Sequence, residues 1–89
     1  MARMQFDVAD KSELGAPGGS GDALFNLGLM YSTGRGVDVD LVTAHKWFNL
    51  AAMRGNIPAR DYRAELAREM SQGEVAEAQR QAREWLASQ

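Results

Sequence analysis

Between residues 1 and 10 apolar and polar positions alternate, so that Met4, Phe6 and Val8 fall on one side of the chain. That period predicts an extended segment with a single apolar face. Further along the period becomes helical. Leu24, Leu27, Gly28 and Tyr31 share one face of a helix predicted over 23–32. Asp22 is placed to accept its first free amides, and Gly34 and Gly36 to end it. Asp40 opens a second helix over 41–54, whose main face is Leu41, Ala44, Phe48, Ala51 and Ala52. Trp47 and Leu50 widen this stripe as packing on two sides requires, and Gly55 ends the helix. Pro58 suits the first turn of a third helix reaching Met70, with Ala59, Tyr62, Leu66 and Met70 on its apolar face. The fourth opens on the Ser71/Glu74 spacing of a capping box and carries Val75, Ala78, Ala82, Trp85 and Leu86 on one stripe. The connections are short, so successive helices should run antiparallel, and the fold class is all-α. Residues 15–21, GAPGGSG, form a flexible linker with a reach of about 15 Å. The chain thus divides into an extended arm (1–14), a Gly-rich linker (15–21) and a helical domain (22–89).

Within the helical part the chain repeats itself. Ala23 pairs with Ala59, 36 residues on, while Ala44 and Trp47 pair with Ala82 and Trp85, 38 residues on. Two helices per unit at this period point to a solenoid, in which one helix hairpin buries its apolar face only by stacking on the next. The second unit lacks the glycine loop of the first and has the more polar outer surface, as a terminal unit should.

The series Ala23, Leu27, Gly28, Tyr31, Gly34, Gly36, Val37, Asp40, Ala44, Trp47, Ala51, Ala52, Gly55 and Ala59 resembles the Sel-one-like repeats, relatives of the tetratricopeptide repeat. The likeness is strong over 23–59, weak over 59–87, and does not extend to 1–21. It implies a short right-handed α/α superhelix of one full repeat and one degenerate terminal repeat. Each matched position also has a physical reason. Gly28 and Ala44 let two helices approach, Tyr31 and Trp47 supply large buried area, and Gly34 and Gly36 permit a tight loop at positive φ.

Composition narrows the function. With 89 residues there is room for one small core. Fractions of 45% hydrophobic and 25% charged residues are those of a globular domain. A net charge of −2 and a pI near 5.3 lack the basic footprint of a nucleic-acid binder, so none is expected as a partner. The absence of cysteine excludes disulfides and thiolate metal sites. The longest uncharged run, 23–34, is too short to span a bilayer, and residues 1–10 lack the apolar stretch of a signal peptide. A soluble, cytoplasmic chain without membrane association is expected.

Candidate chemistry is sparse. His45 is the one histidine, with no second histidine or cysteine to complete a metal site, and reads as a packing or surface residue. No S-x-x-K or G-x-S-x-G occurs, and Gly34-Arg35-Gly36 lacks the rest of a nucleotide-binding loop. Glu65 and Glu69 read as a solvated helix face. No enzymatic activity, cofactor or metal is expected.

The family resemblance implies instead a non-enzymatic adaptor, of the kind found in bacterial regulatory and signalling assemblies, that presents a groove to a protein or peptide partner. The first helix of each unit would line that groove. On the first helix the flank beside the core carries Phe25, Leu29 and Ser32, candidate partner-binding residues; alternatively Phe25 joins the core. In the second unit repeat register points to Asp61 and Glu65, whereas the hydrophobic stripe rotates the face toward Arg60 and Ala64. The start of the solenoid would leave the side with Ala23 and Met30 bare unless something covers it. The arm residues Met4, Phe6 and Val8 are candidates to fold across it or to exchange into a neighbour and form a homodimer, unless the arm is a free tail. A self-associating structural protein is accordingly the alternative reading.

Overall fold

In the computed structural model, which describes residues 20–89, the first helix, α1 (Gly21–Thr33), opens on Ser20. The Ser20 hydroxyl accepts the amide of Ala23 at 3.0 Å, so the helix starts two residues before the position Asp22 was expected to set. Asp22 serves another purpose: its carboxylate accepts the side-chain amide of Asn56 at 3.0 Å, tying the start of α1 to the start of the third helix. Gly34 ends α1 in the left-handed region, φ 77°, and its amide donates back to Met30. The loop then returns through Gly36, also at positive φ, and the Asp40 amide donates to the Tyr31 carbonyl.

Asp40 caps α2 (Leu41–Met53) as expected, accepting the Thr43 amide at 3.1 Å. Asn56, not singled out by the sequence, caps α3 (Ile57–Ala67) by accepting the Ala59 amide, with Pro58 in the first turn. This helix stops three residues short of Met70. The amides of Arg68, Glu69 and Met70 each bond three residues back, the tightened geometry of a fraying last turn. The capping box of α4 (Gln72–Ala87) is complete: Ser71 accepts the Glu74 amide, and the Glu74 carboxylate accepts the Ser71 amide.

α2 packs against each of the other three helices. That position explains why its buried residues, Ala44, His45, Trp47, Phe48, Leu50 and Ala51, reach most of the way round it. Leu24, Leu27 and Gly28 of α1 meet it on one side, and a Cβ on Gly28 would lie 2.5 Å from the Phe48 ring, so only glycine permits this approach. Trp47 meets Trp85 of α4 edge-to-face with centroids 5.8 Å apart, a geometry that adds about 0.5–1.5 kcal/mol beyond the area buried. Phe48, Leu24 and Leu50 are the largest fully enclosed side chains. Each contributes roughly 1.5–3 kcal/mol by leaving water. Tyr31, expected in the core, is half-buried against it. Among the described residues no helix is long and apolar enough to cross a membrane.

Candidate functional site

Three rings from three helices meet where α1 and α3 flank α2. Because Gly28 lets α2 come close, Phe48 reaches up between the outer helices. Its ring lies 5.7 Å from Phe25 of α1 and 5.4 Å from Tyr62 of α3, and Phe25 and Tyr62 touch edge-to-face at 5.2 Å. Burial grades across the triad. Phe48 is enclosed, Phe25 is half-buried and Tyr62 remains 47% exposed. Phe25 therefore belongs both to the core and to the surface above it, and the two sequence readings of this residue describe its two sides.

The other two expected groove residues are placed differently. Leu29, one turn beyond Phe25, is half-buried and lines a cleft of about 480 Å³ with Asn26, Met30, Arg35 and Gly36. Ser32 is half-buried with its hydroxyl proton taken by the Leu29 carbonyl at 3.1 Å. The structure thus brings Phe25 and Leu29 to one edge of α1 and gives Ser32 a local backbone bond. Ala23, expected to need a cover, is buried, and Met30 is half-buried. The arm residues Met4, Phe6 and Val8 lie outside the described residues.

Tyr62 packs on Phe48 as a member of the third helix's apolar stripe, yet it is also a site residue that the sequence does not single out. The signal was in the repeat: a shift of 36 residues sets Tyr62 opposite Asn26, which is exposed. The same shift sets Asp61 opposite Phe25 and Glu65 opposite Leu29. Asp61 and Glu65 share a shallow cleft of about 200 Å³ with Tyr62, and Arg60 and Ala64, the other pair drawn from the sequence, are exposed as well. Glu65 lies 3.8 Å from Arg68 in a pair whose side chains are both about three-quarters exposed, so water and salt weaken it. Arg63 is turned away, donating to Asn49 of α2 at 2.7 Å.

Two polar features lie elsewhere. His45 is 3% exposed, with no hydrogen-bond partner for Nδ1. Burial, helped by the Arg63 charge, holds its pKa below the usual value, so the ring is neutral near pH 7. On α4, Arg80 bonds both Glu77 and Glu84. The hydrogen bonds from Arg80 and Gln81 pull the exposed Glu77 carboxyl down to about 2. These charges satisfy one another beside Lys46, whose ammonium sits 4.3 Å from the Trp47 ring. Among the described residues no group of three or more His, Asp or Glu side chains is arranged to hold a metal ion.

The paired helices, the glycine loop and the aromatic contacts between units are those of a helical repeat, and the Sel1 repeat family model matches residues 21–56 and 63–88. The chain belongs to the Sel1 repeat family. The first match ends at Asn56, the cap of α3, and the second takes in the C-terminal part of α3 and all of α4. No curated protein and no solved structure matches the chain. Sel1 repeats are in general protein–protein interaction modules and typically serve as non-catalytic scaffolds.

Proposed function

We propose that this Sel1-repeat chain is a non-enzymatic adaptor that holds a protein partner along the outer faces of α1 and α3. One observation carries the reading: the Phe25–Tyr62 contact, an aromatic seam left half open to solvent between two helices. Aromatic side chains on a rigid support, with a buried ring beneath them, are what anchors of a binding surface consist of. Phe25 and Leu29 supply the apolar edge on α1, with Ser32 at its end, and Tyr62 supplies that on α3. The face is small. Two helices about 20 Å long, side by side, offer on the order of 400 Å², half the usual share of one partner, so a single copy binds modestly.

The test is a cross-linked pull-down from source-cell lysate, read by mass spectrometry, with wild type, Leu29→Glu, Tyr62→Ala and a control, Gln79→Glu, on the exposed side of α4. Circular dichroism checks that each variant is folded. Capture of a stoichiometric partner by wild type and the control, lost in both groove variants, supports the adaptor. Recovery of self-cross-links only, equal in all four proteins, overturns it in favour of a self-associating structural protein.

A further inference from the structure

Resting on that reading of the α1–α3 face, the charge around the seam points to the chemistry of the partner. From Gly21 to Thr33, α1 carries no basic residue. On α3, Asp61 and Glu65 stand one turn apart and share their cleft with Tyr62, and both are exposed. Among the described residues Asp61 has no ion-pair partner, and that of Glu65 is the loose, solvated contact with Arg68. Arg63, the cation on α3 nearest in sequence to Tyr62, is bonded to Asn49 on the other side of the helix. The open edge of the seam is thus apolar with a carboxylate fringe on one side.

We infer that the partner segment is amphipathic and cationic. An apolar side chain seats against the Phe25–Tyr62 edge, and two Lys or Arg side chains about 6 Å apart face Asp61 and Glu65 across one helical turn. An acidic segment would meet two carboxylates with no compensating cation on α1, and like-charge apposition is what excludes a wrong partner. The cationic pair contributes selectivity and faster encounter more than affinity, because exposed ion pairs are individually weak.

The experiment sorts a random twelve-residue peptide display library on the full chain, followed by binding titrations of enriched peptides to wild type, Tyr62→Ala, Asp61→Asn/Glu65→Gln and Asp61→Lys/Glu65→Lys. Enriched peptides are expected to combine an aromatic or leucine with two or more Lys or Arg. Their affinity should fall about two- to thirtyfold in the neutralised variant, as loss of two surface ion pairs allows. It should fall further in the reversed one, and with added salt. Peptides that bind wild type and lose binding in Tyr62→Ala, yet show no cationic excess and no response to the charge variants, overturn the inference and leave the groove standing. Enrichment of acidic peptides overturns it also. Failure to enrich any peptide that distinguishes wild type from Tyr62→Ala overturns the inference together with the groove.

Discussion

Adding one methyl group at Gly28 should destabilise the domain even though alanine is the better helix former. The methyl would sit 2.5 Å from two carbons of the Phe48 ring, about 1 Å inside normal contact. That ring cannot swing aside, because it is 1% exposed and wedged between Phe25 and Tyr62. Overpacking of this kind costs about 1–3 kcal/mol, and a displacement near 1 Å belongs in the upper half of the range. Replacing glycine within a helix returns about 1 kcal/mol. The net loss is then about 1–2 kcal/mol, or roughly 4–16 °C in Tm for a domain of this size. Gly73 provides the control. It lies in the first turn of α4, where a Cβ would meet nothing nearer than the Ser71 hydroxyl at 3.9 Å. Gly73→Ala should therefore stabilise, by about 0.4–1 kcal/mol. Urea unfolding followed by the fluorescence of Trp47 and Trp85 reads both changes. In the background of Phe48→Leu the Gly28→Ala penalty should shrink by at least about 0.5 kcal/mol, the coupling expected of residues in contact. Stabilisation by Gly28→Ala to the same extent as by Gly73→Ala would refute the close-approach argument.

Two further predictions concern groups away from the seam. Since the folded chain holds the pKa of His45 below 6.5, the unfolded chain takes up the proton first on acidification. The stability this residue contributes is complete above pH 6.5 and is lost as pH falls below it, at up to about 1.4 kcal/mol per pH unit. Urea midpoints between pH 7.5 and 5.5 should show that slope in wild type and a flatter one in His45→Leu; equal slopes would sink the assignment. Ser71→Ala removes the hydroxyl that accepts the Glu74 amide and should cost about 0.5–2 kcal/mol. Because α4 is docked through Trp85, the loss should appear in the main thermal transition, and a melt showing only partial fraying would contradict it.

The helices were legible because local chemistry agrees with tertiary packing over most of their length. Asp40 and the Ser71/Glu74 box cap where their spacing says they should, and Ala44, Phe48 and Ala51 face the core as their period requires. The start of α1 was not legible. Ser20 and Asp22 are both good caps, and the choice between them rests on contacts distant in sequence. Gly21 lies so close to the end of α2 that an added Cβ would be 2.9 Å from the Arg54 carbonyl, and Asp22 is drawn to Asn56. The same limit applied to the second unit. Whether α3 presents Asp61 and Glu65 or Arg60 and Ala64 depends on its rotation, which contacts such as Phe25–Tyr62 and Arg63–Asn49 join to other helices. A stripe read from one helix alone does not contain them. Tyr62 does pack on Phe48, as its stripe predicts, but its contact with Phe25 of α1 and its 47% exposure are set by other helices.

The central place of α2 has a consequence for how the molecule opens. Neither unit holds its own interior: the second helix of the first repeat is the wall on which α3 and α4 rest, so the boundary between repeats is not a line of weakness. Detaching α4 bares Trp47, and detaching α1 bares Phe48, and in either case the remainder still encloses the opposite side of α2. Motions that release an outer helix should thus be cheaper than those that expose the middle one. Amide hydrogen exchange should be slowest for the stretch from Ala44 to Ala51, with protection falling toward both α1 and α4, so that the chain loosens from its two ends inward.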